Sequence, residues 1–191
     1  FLIDGRRLTN INHYYNKSIS KLKSDYSKNK SLDSIYTNRM IRLINGRNSR
    51  ITDYFNRVCH LLVKICIDNG VTTLVIGYNK GQKQDINLGA VNNQKIVSIP
   101  YHKFRQKLEQ LCVEHGISYI SQEESYTSKA SALDMDTIPT YGVDEEPTAF
   151  NGKRIHRGLY RSSDGSVLNA DINGSINILR KYFKERNENW L

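Results

Sequence analysis

Apolar positions recur with a helical period from Asn10 onward. In "NINHYYNKSISKLKSDYSKN" the residues Ile11, Tyr14, Tyr15, Ile19 and Leu22 share one stripe, with lysines around it. After a polar loop, "IYTNRMIRLINGRNSRITDYFNRVCHLLVKICIDNG" keeps that period over a longer span. It predicts one long helix, or two broken near Gly46, burying Ile51, Tyr54, Phe55, Val58, Leu61, Leu62 and Ile65 and stopping at Asn69-Gly70. His60 sits among these positions and reads as a core or boundary histidine. Then the period changes. "VTTLVIG" is β-branched and almost wholly apolar, the pattern of a central strand buried on both faces. The Gly/Asn/Gln-rich loop after it lacks the GxxxxGK[ST] spacing of a phosphate-binding loop.

Beyond Pro100, "YHKFRQKLEQLCVEHG" predicts a helix ended by Gly116, with Phe104, Leu108, Leu111 and Val113 for packing. "ISYISQEE" predicts a second strand running into acids, and "FLID" before "GRR" reads as a short opening strand. Residues 134–164 read as irregular. A last helix is expected from Asp171, with Ile172, Ile176, Leu179 and Phe183 as its stripe. This order of elements describes an α/β unit, a sheet flanked by helices.

Composition adds bounds. With 191 residues, 38% hydrophobic and 25% charged, the chain suits one soluble globular unit. No apolar run approaches the ~18 residues of a membrane span, and the opening residues lack the shape of a signal peptide. No membrane partner is expected. Cys59, Cys66 and Cys112 form neither a CxxC pair nor an even set, so free thiols in a reducing, cytoplasmic compartment are expected.

Charge changes the picture more. Residues 1–60 carry 12 Lys/Arg against 4 Asp/Glu, whereas residues 61–191 carry 16 against 15. Nearly all of the net +9 therefore lies in the N-terminal third. A concentrated basic surface attracts polyanions through counterion release, and nucleic acid is the commonest such partner. Lys17, Lys21, Lys23, Arg42, Arg47, Arg50 and Arg57 are the candidate phosphate contacts.

The candidate chemistry is carboxylate chemistry. Asp171 precedes an amphipathic helix, where it serves as an N-cap or as a metal ligand. Glu123 and Glu124 end a predicted strand, the edge at which α/β sheets place ligand-binding loops. Carboxylates from separate elements can hold Mg²⁺ for phosphodiester cleavage.

At these residues the text becomes familiar. "LINGRNSRITDYFNRV", "TTLVIGYNKGQKQ", "QEESYTSKASALD" and "GKRIHRGLYRSSDGSVLNADINGSINILRK" occur in that order, and together they resemble the C-terminal part of TnpB (OrfB-type) transposon proteins. The resemblance runs over Phe1 to Phe183. It implies the nuclease domain of an RNA-guided DNA endonuclease associated with transposition, similar to the nuclease lobe of type V CRISPR effectors. The implied fold is a partial RNase H-like (RuvC) fold, with a long helical segment before the central strand and an irregular insertion before the last helix. On that reading residues 1–70 are a short strand and basic helices, and residues 71–128 hold the strands and second acidic motif. Residues 129–166 are a degenerate zinc-ribbon-like insertion, and residues 167–191 are the final helix with the third acidic motif.

The resemblance makes Asp171 the third acid, with Asn173 and Asn177 as its accompanying amides. Most relatives end the strand "TTLVIG" with a glutamate, but here Gly77 stands in that neighbourhood. A rearranged subgroup carries the glutamate just before "YTSK", which makes Glu124 the match and Glu123 the alternate. Glu124 and Asp171 would then be ligands of Mg²⁺, two ions of which are expected in a complete site. The first motif, "GIDxG", is not in this chain; Asp4 matches a later region of the family. A truncated protein is therefore expected, with cleavage belonging to the full-length parent and its guide RNA. Zinc is not expected either: Ala130 stands where a cysteine would, "HRGLYRSS" has none, and His156 alone cannot complete four soft ligands. The implied partners are DNA and, in the parent, guide RNA, in a prokaryotic cytoplasm and on the nucleoid. The alternative is a non-catalytic nucleic-acid-binding remnant of a decayed element; a structural protein without nucleic acid is a third.

Overall fold

The computed structural model describes residues 2–27, 37–79, 99–145 and 149–187. The chain divides into two units, Phe1–Val71 with Lys83–Gly116, and Thr72–Gln82 with Ile117–Leu191. The loop expected after Tyr78 lies mostly outside the described residues.

The first unit is helical: α1 (Arg6–Ser27), α2 (Asn38–Asp68) and α3 (Tyr101–Glu114). "FLID" is not a strand. Asp4 instead stands at the entrance of α1, its carboxylate accepting from the Arg6 backbone N–H at 2.9 Å and from Arg6 Nε at 2.7 Å. Those bonds hold the Asp4 carboxyl below the usual carboxylate range. Such a side chain satisfies a backbone donor that the helix start leaves unpaired. The inward stripe of α1 is Leu8, Asn12 and Ile19, and Tyr14 points out at 60% exposure.

α2 is continuous through Gly46, not broken there. Thr37 opens it, accepting from Met40 N–H at 3.2 Å. Gly70, at φ +64°, closes it in the left-handed region that favours glycine. Its buried face is Met40, Ile51, Phe55, Cys59, Val63 and Cys66. Leu61 and His60 are exposed, so the expected stripe was rotated and His60 is neither core nor boundary. Cys59 and Cys66 belong to this buried face and behave as small hydrophobes. On α3 the buried residues are Leu108, Leu111 and Cys112, while Val113 is exposed. Leu8, Ile51, Phe55 and Ile99 form a core, with Phe55 and Phe104 rings 5.3 Å apart. All three cysteines are free and buried, and burial pushes the Cys59 thiol up to about 11.

The second unit holds two small sheets. β1 (Thr73–Tyr78) and β2 (Ser118–Glu123) pair in parallel, from Thr73 opposite Ser118 to Tyr78 opposite Glu123. β1 is half-buried along its length, not buried on both faces, because among the described residues its sheet has two strands. β3 (Lys153–His156), β4 (Leu159–Arg161) and β5 (Val167–Asn169) form an antiparallel sheet. The segment expected to be irregular therefore contains two strands. They are three or four residues long and mostly exposed, too short to show an alternation. α4 (Ala170–Glu185) packs on β1 and β2.

The inner face of α4 also departs from expectation. Its buried residues are Ala170, Asn173, Asn177 and Lys181, so the helix turns a polar stripe inward, and Ile172 is exposed. Each amide is satisfied. Asn173 accepts from Ala132 N–H at 2.9 Å and donates to the Ala130 carbonyl at 2.8 Å. Asn177 donates to the Thr127 and Ala130 carbonyls and accepts from Arg180. Asp136 gathers Ser131 N–H, Asn151 N–H and the Asn151 amide, while Tyr160 O–H donates to the Lys129 carbonyl. Gly152 is required beside that ring, since a Cβ there would lie 2.5 Å from Tyr160 Cε1. This network ties residues 127–136, with Asn151, to α4 by hydrogen bonds. Asn177→Leu leaves the Thr127 carbonyl without its amide partner, and urea denaturation is expected to show a loss of about 2–3 kcal/mol.

Candidate functional site

The two parallel strands end on the same edge, with Gly77 and Tyr78 closing β1 and Glu123 closing β2. Glu124 follows at once, half-buried. Its carbonyl accepts from both Thr127 N–H at 3.3 Å and Thr127 Oγ1 at 2.8 Å. Thr127 is in turn held by Asn177 of α4. The turn contains Tyr126 at φ +60°, a left-handed backbone that costs a bulky residue free energy and marks a constrained segment. Glu124 thus leaves a locked backbone.

Its carboxylate lies over Gly77. A Cβ built on Gly77 would collide with Glu124 Oε2 and would fall 2.6 Å from Ile178 Cδ1. The space that a side chain at position 77 would take is therefore filled by the glutamate that follows the neighbouring strand and by α4. Sequence reasoning noticed Gly77 only as a missing acid; its role as a seat needs coordinates.

Glu123 is engaged elsewhere. One oxygen pairs with the Lys181 ammonium and the other accepts from Ser125 N–H at 2.6 Å. Burial pushes the Glu123 carboxyl up, but the bonds from Lys181 and Ser125 outweigh it and bring the group below its ordinary value. Lys181 is only 3% exposed and also donates to the Pro139 carbonyl at 3.2 Å. No pattern in the sequence distinguished this buried lysine from a solvated one.

Asp171 is not the N-cap of α4. Asn169 is: its side chain accepts from Asp171 N–H at 2.8 Å and Ile172 N–H at 3.3 Å. Asp171 occupies the first turn, exposed, and its carboxylate makes no hydrogen bond among the described residues. There it also meets the partial positive charge of the helix start. Asp171 and Ile178 are seven residues apart, two helical turns and about 10 Å along one stripe of α4. Gly174 and Ser175 lie between, and open space stands where a Cβ of Gly174 would be. The stripe thus runs from the Asp171 carboxylate to the side chain that touches the Glu124 seat. Among the described residues no three His, Cys, Asp or Glu side chains gather.

The basic candidates separate by their contacts. Lys17, Lys21, Lys23, Arg42 and Arg50 are exposed. Arg57 is exposed too, but paired with Asp53 at 3.0 Å. Arg47 is half-buried, donating to Asn12 at 2.7 Å and lying 5.2 Å over the Tyr15 ring. Burial holds its guanidinium below the usual range. It joins α1 to α2.

Comparison with known families adds two matches. A family model described as a probable transposase, OrfB_IS605, matches residues 1–83. A second, described as Cas12f1-like, TNB domain, matches residues 101–178. No curated protein matches the chain. Among the described residues no helix is long and apolar enough to cross a membrane.

Proposed function

We propose that this TnpB-type protein is the nuclease portion of an RNA-guided DNA endonuclease, with Glu124 and Asp171 as two of its metal-binding carboxylates. The observation that carries the reading is the seat of Glu124 over Gly77, against the same stripe of α4 that begins at Asp171. The donors are hard oxygens, the type Mg²⁺ takes. Neither carboxylate belongs to a helix cap, and Glu123, not Glu124, neutralises the buried Lys181. When bound, Mg²⁺ supplies a nucleophilic water at neutral pH and stabilises the leaving oxygen. Asp171 faces solvent, where a phosphodiester can approach, and Glu124 is kept on its side of α4 by Thr127.

The exposed lysines and arginines of α1 and α2 suit the phosphates of DNA and guide RNA. In such systems base pairing carries the sequence, while protein holds backbone and shape. A second reading, a non-catalytic nucleic-acid-binding remnant, draws on the absence of a third acid beside the pair among the described residues.

The test is Mg²⁺ titration by calorimetry together with a cleavage assay on single- and double-stranded DNA. The 191-residue chain is expected to bind Mg²⁺ weakly and to cut neither substrate, because two carboxylates hold fewer ions than a two-metal site requires. Glu124→Gln and Asp171→Asn should each remove that weak binding. Binding unchanged in both variants would refute the assignment. Cleavage abolished by both would retain the pair and show that a third acid completes it.

A further inference from the structure

Between α1 and α2 lies a cleft whose wall is part arginine and part tyrosine, including Tyr14, Tyr15, Arg42, Gly46, Arg47 and Arg50. Arg42, Gly46 and Arg50 are spaced four residues apart and so form one stripe of α2. The two arginines stand about 12 Å apart along the axis, with the glycine midway. Both are exposed, and among the described residues neither forms an ion pair or a hydrogen bond. Gly46 is exposed, and a Cβ there would meet nothing within 4 Å. The stripe therefore has a notch between two guanidiniums.

Tyr14 lines the same cleft from α1. At 60% exposure it is a large ring left in water, although buried positions on the same helix lie only two residues before it and five after it. Tyr15, next to it, is covered by Arg47, which Asn12 holds in place. That arrangement makes one side of the cleft rigid and leaves the Tyr14 ring available.

We propose that this cleft takes a single-stranded stretch of nucleic acid, with phosphates on Arg42 and Arg50, the backbone crossing α2 at Gly46, and an unpaired base stacked on Tyr14. The proposal rests on the nucleic-acid reading above and adds which form of nucleic acid is held. Arginines alone would serve a duplex equally well. An exposed ring beside them selects for a base that is not already stacked and paired. Gly46 has a cost in a helix interior, and here it corresponds to the place where an approaching backbone needs room.

Fluorescence anisotropy at low salt tests this on the full chain with three labelled probes: oligothymidylate, oligouridylate and a short DNA duplex. Tyr14→Ala is expected to weaken both single strands about tenfold and the duplex little, with Tyr14→Phe restoring wild-type affinity. Gly46→Gln fills the notch with a better helix former. It is expected to weaken single-strand binding to a similar degree while the thermal midpoint stays level or rises, a combination that a purely structural glycine would not give. Arg42→Ala with Arg50→Ala should weaken all three probes and lower the salt dependence. If Tyr14→Ala and Gly46→Gln leave single-strand binding unchanged while the arginine variant weakens the duplex, the cleft is a duplex contact and the proposal falls alone. If the wild-type chain binds none of the probes, the nucleic-acid reading falls with it.

Discussion

Gly77→Ala is expected to lower Mg²⁺ affinity about 10–100-fold, the range seen when the support of a metal ligand is removed, with little change in stability. The added Cβ would take the place of Glu124 Oε2 and crowd Ile178 Cδ1. Both atoms are the far ends of side chains, so the strand need not move; the glutamate swings away instead. No left-handed backbone is needed at Gly77, and alanine is no worse than glycine in a strand. Calorimetry with Mg²⁺ alongside thermal unfolding separates the two effects. The sharper version moves the acid. Gly77→Glu combined with Glu124→Gly puts a carboxylate on β1, in the space the first glutamate vacates. Recovery of Mg²⁺ binding in the double variant, but not in Glu124→Gly alone, is the expected result. An unchanged affinity in Gly77→Ala would mean that the glutamate does not need its seat.

Glu123→Ala is expected to have the largest effect on stability, about 3 kcal/mol, because it leaves the Lys181 ammonium buried without its carboxylate. Glu124→Ala leaves the Glu123–Lys181 pair in place and should cost less. Urea denaturation of the two variants tells the adjacent glutamates apart by their consequence for the fold. The pH dependence follows from the same contact. The folded-state value of Glu123 is lowered, so its stabilisation is fully present above the ordinary carboxylate range and is lost as pH falls through the lowered value. The acid limb of the wild-type stability profile should therefore flatten in Glu123→Ala.

Much of the fold could be read in advance because it rests on local pattern. Long helices announce themselves by period, and the ends of α2 and α3 follow from Asn69-Gly70 and Gly116. β1 follows from a β-branched run of the right length and β2 from "ISYISQEE", whereas their parallel pairing is visible only in the structure. What escaped was tertiary in origin. Asn173, Asn177 and Lys181 look like a solvated face of α4, and only their partners on the 123–139 stretch show that face to be the inner one. The cap fell two residues earlier than expected because Asn169 and Asp171 are both good caps, and sequence cannot rank them. The strand end offers Glu123 and Glu124 alike, and the resemblance singles out Glu124. The reason an acid fits there is the empty position across the sheet, a relation between residues 47 apart in the chain.

The polar inner stripe of α4 has a mechanical consequence. Apolar contacts are non-directional, and a helix seated on them can roll or slide with modest penalty. Hydrogen bonds carry angular demands, and Asn173, Asn177 and Lys181 impose them at three successive levels of one helix. A shift of one residue would turn the helix by about 100° and strand all three. The helix is thus indexed like a key in a lock, in azimuth and in depth. Asp171 sits at the tip of that key, so where its carboxylate points is decided up to ten residues away, by groups that never touch it.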